Sequence, residues 1–164
     1  MMGYLAGIDL GTSSVKTLIM DPEGKTLAVS HADYDVTTSK IGYAEQDPQI
    51  WWNHTVRTIG EALENAGIRP EDLTGIGLSG QMHGLVALDA DGRLIRNAII
   101  WADQRSGAQI ENIYRVVSRE RFAEVYCNRL STGFLLPSLL WVREHEPQNY
   151  EKISKVLSPK DYIR

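Results

Sequence analysis

The chain has 164 residues, 43% of them hydrophobic, and a formal net charge of -4. This is enough length and apolar content for a substantial core and excludes a disordered tail. The acidic balance argues against nucleic acid as a partner, since binding its phosphate backbone requires a basic face. Cys127 is the only cysteine; it cannot form an internal disulfide, fits a reducing cytoplasm, and reads as a packed thiol because no local motif activates it. The N-terminus lacks a basic region followed by an apolar signal stretch, and no later segment is long enough to span a bilayer. A soluble, cytoplasmic protein with no membrane contact is therefore expected. His31, His54, His83 and His145 are far apart in sequence and lack the paired spacing of a zinc site.

Leu5 to Asp9, Val15 to Met20 and Thr26 to Ser30 read as three strands of an antiparallel meander, with Asp21-Pro22-Glu23-Gly24 turning between the second and third. The first hairpin holds the run Gly7-Ile8-Asp9-Leu10-Gly11-Thr12-Ser13-Ser14-Val15-Lys16. Here an apolar strand delivers an acid into a turn of small residues. Asp9 can face a hydrated divalent cation, and Gly11, Thr12 and Ser13 let backbone N–H groups and hydroxyls approach phosphate oxygens without a bulky side chain in the way. The same residues also make an ordinary turn between paired strands, so both readings stand on the turn alone. Lys16 has two readings as well, toward the phosphates or out into solvent. The Gly-x-x-x-x-Gly-Lys-Ser/Thr phosphate loop is absent, and a dinucleotide-binding fold is not expected.

Asp47-Pro48 supplies an N-cap and a proline at the first helical position; Trp52, Val56, Ile59, Leu63 and Ala66 then recur on one helical face, and Gly67 suits the stop. Leu73 to Ser79 reads as a buried strand delivering the loop Gly80-Gln81-Met82-His83-Gly84, where open α/β sheets present ligand groups. Leu85 to Leu88 resumes extended structure, Asp89-Ala90-Asp91-Gly92 turns, and Asn97 to Trp101 reads as a strand ahead of Ala102-Asp103-Gln104-Arg105. Helix dominates afterwards. Ile110, Ile113, Tyr114 and Val117 form one stripe, Ser118 caps a segment with Phe122 and Val125, and Leu136, Leu139, Leu140 and Arg143 form another stripe. The chain stops at Ser158-Pro159-Lys160-Asp161-Tyr162-Ile163-Arg164 without a polar tail, as though a fold continued past it.

Taken in order, the phosphate turn, Glu45-Gln46-Asp47-Pro48 with Trp51-Trp52, Ser79-Gly80-Gln81-Met82-His83-Gly84, Ile100-Trp101-Ala102-Asp103-Gln104-Arg105 and Ser158-Pro159-Lys160-Asp161-Tyr162 resemble the FGGY carbohydrate kinases over nearly the whole chain. The resemblance implies an α/β, actin-like and ribonuclease-H-like fold with a mixed sheet, an antiparallel meander followed by βα units, flanked by helices. Residues 1–164 would be most of the first of two domains, with a general-base Asp and the adenine-binding domain beyond Arg164. On its own, such a fragment would be inactive. ATP and Mg²⁺ would be held at Asp9, Gly11, Thr12, Ser13 and Lys16. The Gln81-Met82-His83 loop looks like the family's sugar-contacting position, and Met with His there points to D-xylulose rather than glycerol, gluconate or ribulose.

His83 can hydrogen-bond sugar hydroxyls while Met82 packs on the carbon skeleton; read without the resemblance, Met82 is a core residue and His83 a satisfied loop residue. Asp103 and Arg105 either orient sugar hydroxyls or fix their loop as a bidentate pair. Homodimerisation stays open, as does a non-catalytic, actin-like interaction domain. One departure stands out: in the segment from Phe134 to Trp141 the family usually has Lys where this chain has Ser138.

Overall fold

The computed structural model describes residues 3–164 and divides them into two compact units. One unit comprises the chain up to Val36, Asp47–Gln81 and Pro159–Arg164; the other comprises Thr37–Gln46 and Met82–Ser158. Each is described in turn.

The first unit is built on a four-stranded sheet of β1 (Tyr4–Leu10), β2 (Ser14–Met20), β3 (Thr26–Asp33) and β5 (Leu73–Gly80), ordered β3-β2-β1-β5. The three N-terminal strands pair antiparallel, as the meander predicts, while β5 joins β1 in parallel. β3 runs on to Asp33, past the predicted end at Ser30. Alternation decides which face of the sheet is covered. Ala6, Ile8 and Leu10 of β1 are buried, and the long helix α1 (Pro48–Ala66) packs across β1, β2 and β3.

The caps of α1 are those predicted. Asp47 accepts from the Gln49 N–H at 2.9 Å, Pro48 opens the helix, and Gly67 closes it at φ 66°. The predicted face is the buried one only in its later turns, where Leu63 is buried and Ile59 and Ala66 pack on the same core. Trp52 and Val56 are 45% and 52% exposed, and the buried stripe is Trp51, Thr55, Thr58 and Ala62, one position round. The cause is a polar pair inside the core: Thr17 and Thr58, both fully buried, share a hydrogen bond of 2.8 Å. A satisfied hydroxyl pair makes threonine an interior residue, and apolar periodicity overlooks it. β5 also departs from expectation. It is the edge of the sheet, with Ile76 60% exposed, so the buried strand predicted there is corrected to a half-exposed one. A short helix, α6 (Pro159–Ile163), packs on β5 and α1.

The second unit holds two small antiparallel ladders, β4 (Glu45–Gln46) with β7 (Ala98–Ile99) and β6 (Val86–Leu88) with β8 (Lys155–Leu157). It also holds α2 (Gly107–Val116), α3 (Arg119–Tyr126), α4 (Leu135–His145) and α5 (Pro147–Tyr150). Its core gathers Leu85, Ile99, Trp141 and Val142, with Tyr43, Leu135, Leu139 and Val156 packed on them. β7 is shorter than predicted, and Trp101 lies beyond it, half exposed.

Ile110 is buried on α2 beside the polar Gln109, whereas Val117 falls outside the helix. Ser118 caps α3 as predicted, accepting from the Arg121 N–H at 3.2 Å; Phe122 is buried and Val125 is not. On α4 the buried residues are Pro137, Ser138, Trp141 and Val142, while Leu136 and Arg143 face outward. That helix begins apolar on every side, so periodicity cannot select its inner face. Cys127 is exposed and ends α3 in the left-handed region at φ 52°. The packed thiol expected from sequence is corrected: the residue ends a helix at the surface. No helix among the described residues is long and apolar enough to cross a membrane.

Candidate functional site

In the first unit the hairpin between β1 and β2 places Asp9 opposite Lys16, while the parallel pairing with β5 places Ser79 on its other side. Paired positions share a sheet face, so Lys16, Asp9 and Ser79 form one polar row; all three are exposed. They border a hollow of ≈ 560 Å³ whose floor includes Gly7 and Gly77, neighbours in the adjacent row. Glycines there let an incoming group approach the backbone. Among the described residues no hydrogen bond or ion pair engages the carboxylate of Asp9 or the ammonium of Lys16, and no three His, Cys, Asp or Glu side chains gather as a metal site. Asp9 is a single, open carboxylate.

The turn beyond Asp9 is held from several sides. Gly11 N–H donates to the Ser14 carbonyl at 2.9 Å, and a Cβ on Gly11 would sit 3.0 Å from that same oxygen. Tyr34, the residue after β3, donates its N–H to the Ser13 carbonyl at 2.9 Å and its hydroxyl to the Gly11 carbonyl at 2.6 Å. Burial pushes the Tyr34 phenol well above its ordinary range, and the negative charge of Asp9 pushes it further, so it remains a protonated donor. Gln81, buried at the end of β5, donates its N–H to the Leu10 carbonyl at 2.7 Å and its side-chain amide to the Gly11 carbonyl at 3.4 Å. Asp9, Gly11, Thr12, Ser13, Lys16 and Gln81 thus belong to one unit; Met82, His83, Asp103 and Arg105 belong to the other.

In the second unit Met82 is 69% exposed, and His83 holds a positive φ of 69°, a conformation uncommon outside glycine. Its ring stacks on Phe134, centroids 3.6 Å apart and planes within 10°. Phe134 is seated by its neighbour Gly133, at φ 75°, where a Cβ would fall 2.2 Å from the Trp101 carbonyl oxygen. The His83 loop is therefore tied to the segment after β7.

Asp103, on that segment, is fully buried. Its carboxylate accepts from the Ala44 N–H at 2.7 Å, from the Arg105 N–H at 2.9 Å and from the Arg105 guanidinium. Arg105 also pairs with Glu45 at 2.7 Å and lies 3.8 Å from the centroid of the Tyr43 ring. Glu45 and Glu146 each bind Arg96 in turn. Burial works against the Arg105 charge, but its hydrogen bonds to the carboxylates of Asp103 and then Glu45 overcome it and hold the guanidinium above its ordinary value. The pair is bidentate and ties its loop to Ala44 and Glu45.

Tyr34, Phe134 and Glu45 take part in these arrangements without having been singled out for a role by sequence. Glu45 and Phe134 lay within segments already noticed; Tyr34 carried no local signal.

An antiparallel meander joined by a parallel strand, with an open acid beside the small-residue turn, is the actin-like, ribonuclease-H-like arrangement of an α/β protein. Residues 4–164 match the N-terminal domain of the FGGY family of carbohydrate kinases, and the chain belongs to that family. It is 41% identical over 163 residues to the xylulose kinase of Bacillus subtilis strain 168, covering 99% of this chain and 32% of that protein. The crystal structure of a "xyloylose kinase" from Brucella ovis superposes with a TM-score of 0.90 at 36% identity, over 98% of this chain and 33% of that one. The xylulose kinase of Rhodospirillum rubrum gives a TM-score of 0.92 at 26% identity, covering 98% and 33%. The chain thus spans about a third of the length of these relatives.

Proposed function

We propose that this chain is the N-terminal part of a carbohydrate kinase that transfers the terminal phosphoryl group of ATP to D-xylulose, giving D-xylulose 5-phosphate. The observation that carries the reading is the open Asp9 carboxylate, in a row with Lys16 and Ser79 at the rim of a glycine-floored hollow. Phosphoryl transfer passes through a loose, charge-spread transition state, so the protein's work is to align the acceptor hydroxyl and neutralise phosphate charge. A lone carboxylate suits Mg²⁺, which keeps several waters and is held by one or two carboxylates together with substrate phosphates. Asp9 would hold the hydrated ion, which when bound offsets the charge on the phosphates. Gly11, Thr12 and Ser13 would meet phosphate oxygens, and Lys16 would add a positive charge at the same edge.

His83 and Met82 would contact the sugar, His83 through its ring nitrogens and Met82 through its exposed thioether. Gln81 would position the start of that loop, and the Asp103–Arg105 pair would keep the neighbouring segment in place. In this reading the acceptor hydroxyl gives its proton to an Asp supplied by sequence beyond Arg164.

A substrate panel on the full-length protein tests this directly. ATP-dependent phosphorylation of D-xylulose should exceed that of glycerol, gluconate and ribulose, and preference for one of those three would replace the sugar assignment. Calorimetry on His83→Ala should show sugar affinity reduced by about tenfold, the scale of one lost polar contact, with Mg·ATP binding unchanged. Unaltered sugar affinity would remove His83 from the site.

A further inference from the structure

We propose that Tyr34 is the positioning residue of the phosphate turn: by holding the carbonyls of Gly11 and Ser13 it sets the direction in which the amides of that turn face. The inference rests on the phosphate reading given above and adds to it a residue that touches neither the ion nor the nucleotide.

Immediately after β3, Tyr34 donates its N–H to Ser13 at 2.9 Å and its hydroxyl to Gly11 at 2.6 Å. A single residue thus grips the turn at two alternate carbonyls. Because a peptide group is planar and trans, the Gly11 carbonyl and the Thr12 N–H point in opposite senses. Drawing the carbonyl toward Tyr34 therefore turns that N–H away from it. Gly11 lacks a side chain to restrict its backbone, so the orientation of the 11–12 peptide depends on what holds its oxygen. The other side-chain donor to that oxygen, the Gln81 amide, lies at 3.4 Å, long for a strong bond. The Tyr34 hydroxyl is the tighter hold.

The phenol is itself well seated. Its ring is buried to 9% exposure and lies in tilted contact with His54, centroids 5.9 Å apart. Phenylalanine would fill the same space, so what tyrosine adds here is the donor. Donors fixed before the ligand arrives need no reorganisation when phosphate charge develops, and a turn free to swing gives up part of that advantage.

Tyr34→Phe in the full-length protein keeps the ring and removes the hydrogen bond. Exchange of the backbone amides of residues 11–13 should accelerate by about five- to tenfold, the scale of one such bond, while β1 and β2 amides keep their protection. Mg·ADP affinity by calorimetry and the KM for Mg·ATP should weaken by about fivefold, with the KM for D-xylulose unchanged. Unchanged exchange with unchanged Mg·ADP affinity would overturn the proposal. So would a general rise in exchange with both KM values shifted together, the mark of a merely structural hydroxyl. Asp9→Ala, measured alongside, separates the two ideas. If it abolishes turnover while Tyr34→Phe is silent, only the role of Tyr34 falls; if it too leaves turnover and Mg·ADP affinity intact, the phosphate reading falls and takes this inference with it.

Discussion

Asp9 and Asp103 both lie at or just past the ends of apolar strands, yet their surroundings are opposite. Asp9 is exposed and its carboxylate meets no donor or cation among the described residues. Asp103 is fully buried and accepts from two backbone amides and a guanidinium. A buried carboxylate survives only when its charge is paired and its oxygens are filled, so Asp103 is committed to holding its loop. An exposed carboxylate bears no such cost and stays available to a charge that arrives from outside. Residue type and distance from a strand therefore do not separate a paired acid from an open one; burial and the donors around it do.

The largest effect that would sharpen this contrast is on stability. Asp103→Ala leaves the buried Arg105 with Glu45 as its remaining ion-pair partner and should lower unfolding free energy by about 3 kcal/mol, read from the urea midpoint. A loss below about 1 kcal/mol would mean that the network is not structural and would blur the distinction from Asp9.

Gly133→Ala should come next. It forces a side chain into a positive-φ position against the Trp101 carbonyl, at a cost of about 1–3 kcal/mol. Because Gly133 seats Phe134 under His83, sugar affinity should fall in step, with Mg·ATP affinity preserved. Equal loss of both ligands would contradict a local effect on the His83 loop.

Thr17→Val should cost about 1–2 kcal/mol by removing one of the two hydrogen bonds of the buried Thr58 hydroxyl, which keeps its bond to the Thr55 carbonyl. Thr17→Val with Thr58→Val should recover most of that loss, since removing both polar groups leaves nothing unsatisfied. Recovery would place the stability of the first unit beneath its sheet, away from the Asp9 row; a strictly additive double variant would deny the coupling.

Signals that act over one to four residues were readable from the sequence. Asp47 and Ser118 as caps, Gly67 as a stop, and the register-setting turn between β1 and β2 all follow from chemistry within a single turn of chain. The family motifs carried the fold class for the same reason, as short runs kept in order. What could not be read depends on partners distant in sequence. The first turns of α1 were misplaced because the buried Thr58 hydroxyl is matched by Thr17, on a strand far upstream, as well as by the Thr55 carbonyl. β5 read as buried because its apolar residues do not reveal that it forms the sheet's edge. Glu45, Arg96, Arg105 and Glu146 assemble from four separate segments, and Tyr34 reaches back to Gly11 across two strands. The candidate nucleotide turn was therefore visible, while the residues that hold it were not.

The central claim is that the open carboxylate of Asp9 serves the phosphate end of the reaction and nothing else in the protein. Turnover, sugar affinity and urea midpoint of Asp9→Ala in the full-length protein test it together. The account predicts turnover reduced by about 10²- to 10³-fold or more, the scale of a lost charge-stabilising group, with sugar affinity and midpoint near those of the parent. Near-normal turnover, or a loss that follows a lowered midpoint, would contradict it.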